Sequence, residues 1–208
     1  MIKKGSFKSV IEFLGFKQEE GHEAIYYKDF VDCTLKVDFA NEKMIYPEEC
    51  GLIVNDKTTS NFDKDENFVV FECVHRLLAK GYRPEHIELE TKWQLGRDVK
   101  GGKADILVKK PDNSVLLIIE CKTAGAKFNE EYKNTEAYGG QLFSYWQQEG
   151  STDWLVLYAS DWKDSNLSYK APVIRCKDDE NKSQGKKEHD KGVSAQGHLE
   201  IEGTTPAD

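Results

Sequence analysis

Three ionisable residues in the middle of the chain have the types and spacing that metal-assisted phosphoryl chemistry needs. Glu120 and Lys122 stand two residues apart at the end of "SVLLIIECK", with Cys121 between them. The run is continuous Val, Leu and Ile, the pattern of a strand buried on both faces. Side chains alternate along a strand, so Glu120 and Lys122 share a face, while Cys121 points away and leaves its carbonyl near them. The third residue, Asp105, lies in "KADILVKK", a second strand-like run separated from the first by the turn signal "PDNS".

Pairing the two runs as a hairpin fixes their relation. A four-residue turn over Pro111, Asp112, Asn113 and Ser114 pairs Lys110 with Val115, sets Ile106 against Ile119 and brings Asp105 opposite Glu120. Opposed Cβ atoms in an antiparallel pair are about 4.5–5.5 Å apart. Two carboxylates at that separation repel, and one is driven towards protonation unless a cation lies between them. A hard divalent ion resolves the conflict. Asp105, Glu120, the Cys121 main-chain carbonyl and water form a donor set suited to Mg²⁺, with Mn²⁺ as a substitute. Lys122 would then orient a water or steady the charge that builds on a phosphate in transfer. The plainer reading is a surface Glu–Lys ion pair, and spacing alone leaves both standing.

The surrounding sequence supplies the elements that must hold these residues. In "FDKDENFVVFECVHRLLAKGY", Val70, Cys73, Val74, Leu77 and Leu78 recur at helical spacing and Gly81 is a stop signal, which predicts a long helix. "HIELETKWQL" predicts a strand before the hairpin. "EYKNTEAYGGQLFSYWQQ" predicts helix on both sides of a Gly139-Gly140 break, and "DWLVLYAS" a last buried strand. The fold class is therefore α/β, with a mixed central sheet and helices on both faces across residues 51–175. Residues 1–50 read as a small α+β appendage, with a helix in "FKSVIEFLGF", a strand in "AIYYK" and two more in "CTLKVDFANEKMIYP" joined at "NEK". Residues 176–208 have too little apolar content to offset their ordering entropy, which predicts a flexible polar linker or tail.

Composition sets limits on function. The 208-residue chain has a net charge of −8, so contact with nucleic acid must rely on a local basic patch or a partner. Lys92, Arg97, Lys100, Lys103, Lys109, Lys110, Lys127 and Lys133 gather around the hairpin and are mostly expected as solvated surface. Lys100 and Lys103, beside Gly101-Gly102, are the candidates for DNA phosphate contact. Trp93 and Trp146 are expected in packing rather than on bases. The cysteines are odd in number and widely spaced, without a CxxC pair, which argues against a disulfide framework or zinc knuckle. No apolar run approaches the roughly 18 residues of a membrane span. With no signal-peptide pattern at the start, a cytoplasmic location is expected.

The segment "ADILVKKPDNSVLLIIECK" resembles the core of PD-(D/E)xK nucleases, with Asp105, Glu120 and Lys122 at the motif positions and Ala104 where Pro is usual. "QLFSY" sets Gln141 and Tyr145 four apart on one helix face. It resembles the QxxxY motif in nuclease domains of type I restriction subunits and related helicase-associated nucleases, where it orients DNA or the catalytic lysine. "ENFVVFECVHRLLAKGY", "IELE" and "GGKADILV" extend the likeness, over residues 62–160, to the amino-terminal nuclease domain of restriction-modification polypeptides, including methyltransferase-fused ones.

This resemblance implies a restriction-endonuclease-like fold, Mg²⁺-dependent cleavage of DNA leaving 5′-phosphate and 3′-hydroxyl ends, and other domains or subunits that methylate or translocate. It further implies an acid on the first core helix. Glu66, on the line of Val70, Cys73 and Leu77, is preferred over Glu72, which reads as a solvated helix residue. The alternative function is a catalytically silent nuclease-like fold that binds DNA or docks to a methyltransferase or restriction subunit.

Overall fold

The computed structural model describes residues 1–92 and 102–176, with two short strands at 198–199 and 202–204. The chain opens with α1 (Lys4–Phe13), whose Phe7, Val10 and Ile11 recur at helical spacing and are fully buried. An antiparallel sheet of β1 (Lys17–Glu19), β2 (His22–Asp29), β3 (Thr34–Asp38) and β4 (Lys43–Ile45) follows, paired in that order. The expected turn at "NEK" lies between β3 and β4, where Asp38 Oδ1 accepts from the Asn41 N–H at 3.0 Å and Glu42 takes a left-handed backbone.

The central sheet is mixed, as the alternation of strand and helix patterns implies. Its order runs from β5 (Ile53–Val54) through β6 (Ile87–Lys92), β7 (Lys103–Lys109) and β8 (Val115–Cys121) to β9 (Trp154–Lys163). β6, β7 and β8 are antiparallel, whereas β5–β6 and β8–β9 are parallel. A parallel step needs a crossover. Between β8 and β9 it is made by α3 (Ala126–Tyr138) and α4 (Gly140–Glu149), which meet at Gly139 and Gly140, both at positive φ. The opposite face is covered by α2 (Asp65–Ala79).

Period-two alternation divides the strands between these two layers. Ile106, Val108, Ile119, Cys121, Val156 and Tyr158 join the core shared with α2. Leu107, Ile118, Leu155, Leu157 and Ala159 join the core under α3 and α4. Burying both faces explains why β8 is apolar from Val115 to Ile119. "DWLVLYAS" proves not to be the last strand. β9 turns through Asp164 and Ser165, both at positive φ, into β10 (Asn166–Lys170), and β11 (Val173–Arg175) then pairs on the other part of β9. Two left-handed residues in a two-residue hairpin turn usually mean Asn-Gly or Asp-Gly, and Asp-Ser gives a weaker signal. The strands His198–Leu199 and Glu202–Thr204 pair with β11 and β10, and the rest of the segment expected as a tail lies outside the described residues.

α2 departs from the single apolar stripe expected of it. From Asn67 to Leu78 every residue except Arg76 is buried, because the helix lies between the central sheet and the amino-terminal layer. Glu72, read from sequence as solvated, is fully buried. It accepts from the Tyr158 hydroxyl and the Arg76 guanidinium, each at 2.5 Å, and Arg76 stacks on Tyr169 at 3.8 Å. The residue serves as a satisfied interior carboxylate joining α2 to β9.

His75 sits on the other side of α2, packed against Phe16 and Phe30, with Lys28 Nζ 2.9 Å from Nε2. Burial first, then Lys28 and Arg76, push its pKa down to about 3. The unfolded chain takes up this proton below about pH 6.5 while the folded chain does not. His75 should therefore remove stability as pH falls from 6.5 towards 3, by up to about 1.4 kcal/mol per pH unit. Denaturant titrations over that range should show a shallower pH slope for His75→Gln than for wild type, and equal slopes would refute this origin.

Candidate active site

The hairpin brings its two carboxylates together at the open end of the β7–β8 ladder. Ile106 pairs with Ile119 as the sequence predicts, and the Cys121 N–H donates to Asp105 Oδ2 at 2.7 Å. The turn differs from expectation. Asn113 N–H donates to the Lys110 carbonyl at 2.9 Å with Asn113 at φ 66°, and Lys109, not Lys110, pairs with Val115. A bulge between Val108 and Lys109 absorbs the difference, so the register at Asp105 and Glu120 is kept. Cys121 turns its side chain into the α2 core, and Lys122 N–H donates to the Tyr158 carbonyl at 2.8 Å.

Both carboxylates are buried, and their charges are out of balance with their surroundings. Burial, then Glu120, hold the Asp105 carboxyl well above the usual aspartate range. Burial raises Glu120 to about 7 against the opposing pull of Lys122, whose ammonium contacts Glu120 Oε1. Burial alone would lower the Lys122 pKa, but Glu120 overrides it and pushes the value above the ordinary lysine range. The Glu–Lys pair is thus not at the surface, since Glu120 has only 3% of its surface exposed and its Oε2 is buried without a hydrogen-bond partner.

α2, α4 and β6 converge on this point around a cavity of about 410 Å³. The first turn of α2 contributes Glu66 and Asn67, the acid expected on the first core helix being among the lining residues. α4 contributes Gln141 and Tyr145, one turn apart. The helix starts where it does because Glu131 of α3 accepts the Gln141 N–H at 3.1 Å, and a side chain at Gly140 would strike Glu131 and Thr135. Tyr145 packs its ring on Gly102 and donates its hydroxyl to the Lys103 carbonyl at 2.7 Å. It therefore fixes the start of β7, two residues before Asp105. Lys103 lines the cavity, paired with Glu90 on β6, while Lys100, Arg97 and Trp93 lie outside the described residues. Trp146 packs edge-on against Phe143, as expected.

Residues 65–157 match the family model of the Type I restriction enzyme R protein N terminus (HSDR_N). The core is similar to that family over this stretch. No curated protein matches the chain. The matched segment of the R-protein N terminus runs from the first turn of α2 into β9, and so includes Glu66, Asp105, Glu120, Lys122, Gln141 and Tyr145. The residue missed in the sequence is Glu90. It stands in "IELE", where its alternation with Glu88 gave no reason to prefer it, yet it is 5% exposed and faces the same cavity. Among the described basic residues near the hairpin, Lys92 lies near Asp56, Lys109 pairs with Glu88 and Lys110 with Asp153. Among the described residues no helix is long and apolar enough to cross a membrane.

The donor set suits a hard cation that keeps much of its water. Among the described residues no three His, Cys, Asp or Glu side chains are grouped as a ready metal cage. Asp105 and Glu120 supply carboxylate oxygens to the cavity, and the unpartnered Glu120 Oε2 and the elevated carboxyl pKa values are what a cation would relieve.

Two outcomes follow from this geometry. Raised carboxyl pKa values mean that stability is lost as pH rises through them. Asp105→Asn should therefore raise the melting temperature of the metal-free protein at pH 8, with the gain fading towards pH 5, and scanning calorimetry at both values checks it. A Cβ at Gly102 would lie 2.4 Å from Tyr145 Cε1. Gly102→Ala should destabilise by about 1–3 kcal/mol in a urea titration.

Proposed function

We propose that this chain is a Mg²⁺-dependent DNA endonuclease domain working within a type I restriction system. The observation that carries the reading is the convergence of Asp105, Glu120, Lys122, Glu66, Gln141 and Tyr145 on one cavity from four elements. A structural ion pair requires none of the other four. Asp105 and Glu120, with the Cys121 carbonyl, would hold the cation, which supplies charge neutralisation at the phosphate and lowers the pKa of a bound water.

The protein groups do the positioning. Lys122, an ammonium steered by Glu120, donates to the attacking water or to a phosphoryl oxygen. Tyr145 holds the Gly102–Lys103 backbone so that Asp105 meets Glu120, and Gln141 on the same helix face contacts the substrate. Glu66 closes the cavity from the α2 side. The family match supports DNA as substrate and a larger complex with methylating and translocating parts as partner. The net charge of −8 fits a domain that receives its DNA from such a complex.

A second reading, a silent nuclease-like module that only binds or docks, is favoured by one observation, the lack of a ready three-residue metal cage among the described residues. Calorimetric titration with Mn²⁺ separates the two. Wild type should bind the ion, Asp105→Ala should lose it, and Lys122→Ala should keep it while losing about 10²- to 10⁴-fold in cleavage of plasmid DNA. Equal binding in wild type and Asp105→Ala, or none in either, would leave the silent module.

A further inference from the structure

Glu90 combines two unfavourable features that its strand does not require. The residue is 5% exposed, and its backbone sits at φ 59° within β6. A left-handed backbone is strained for a non-glycine residue and persists only where its surroundings impose it. A bulge does not explain it, since Leu89 pairs with Ile106 and Thr91 with Ala104 in one unbroken register, and no residue is inserted. The residue it would face across the ladder is Asp105.

The turned residue places its carboxylate in the candidate active-site cavity, in contact with the Lys103 ammonium. Lys103 is also 3.5 Å from Asp56, itself fixed by the Thr58 N–H at 3.1 Å. The Lys103 main-chain carbonyl is held by Tyr145, so both ends of this residue are restrained. About Asp105 the cavity therefore has two lysine–carboxylate pairs, Glu120 with Lys122 and Glu90 with Lys103.

We propose that Glu90 is a positioning residue that aims Lys103 at a phosphate of the DNA strand lying in this cavity. The inference rests on the nuclease reading and extends it, because it names the group that fixes the second cation of the site. Its backbone strain and buried charge are the means by which a flexible lysine is held in one place before substrate arrives.

Charge and positioning give opposite signs, which makes the idea testable. Removing a carboxylate from a DNA-binding cavity strengthens binding if only charge matters. If Glu90 positions Lys103, Glu90→Gln should instead weaken binding of a fluorescein-labelled duplex by roughly tenfold. The slope of log K against log salt should also flatten by about 0.9, the value of one phosphate contact. Lys103→Ala should do the same, and the double variant should be no worse than either single one. Glu90→Gly gives a second arm, because glycine adopts positive φ without strain. It should melt at or above the wild-type temperature and still bind DNA more weakly. Wild-type binding with unchanged or tighter binding by the Glu90 variants overturns this proposal alone. A wild-type chain that fails to bind the duplex at low salt also overturns this proposal, whereas the nuclease reading stands or falls on the Mn²⁺ titration of wild type and Asp105→Ala.

Discussion

Two like charges forced together inside a sheet set the terms for the rest of this protein. Asp105 and Glu120 come from neighbouring strands, are both buried, and are both pushed towards their neutral forms. A core selected for stability alone would replace them with apolar residues. Retaining them calls for compensation nearby, and the compensation is specific. The Cys121 N–H bonds Asp105, Lys122 bonds Glu120, and Glu120 Oε2 remains buried without a hydrogen-bond partner. Instability is concentrated where a ligand could remove it, a common arrangement at functional sites.

The helices around that hairpin act as braces as well as cover. Tyr145 is the clearest case. Its ring rests on Gly102 and its hydroxyl bonds the Lys103 carbonyl, so the helical QxxxY residue governs where β7 begins. Glu131 does for α4 what an N-cap would do, from the neighbouring helix, which ties the two crossover helices to each other beside the site. Burial of α2 on two sides has a similar effect at Glu66, because the rigid helix fixes its first turn against the cavity. The amino-terminal layer thus contributes to the site indirectly, through the Phe7, Phe68 and Phe71 contacts that hold α2 in place.

Much of this arrangement was legible in the chain. The apolar run ending in Glu120 and Lys122, the turn signal after Lys110 and the position of Asp105 gave the hairpin and its register, because strand periodicity admits few alternatives. The Gly139-Gly140 break gave two helices, and helical spacing put Gln141 and Tyr145 together. The match to the R-protein N-terminus family covers the same stretch.

What the sequence by itself determined is local: the order of elements, the α/β class, and the carboxylates and lysine that share one hairpin face. Only the tertiary structure decided the rest. Glu72 read as solvent-exposed because periodicity describes one element at a time, and its burial depends on Tyr158, 86 positions away. Glu90 looked like one of two alternating acids because its left-handed backbone is imposed by its surroundings and has no sequence signal. Lys103 read as a free cation because charge pairing across strands depends on distances that spacing along a chain cannot supply. Element order and strand register follow from nearby residues, whereas burial, electrostatics and the strained backbone at Glu90 are properties of the assembled whole.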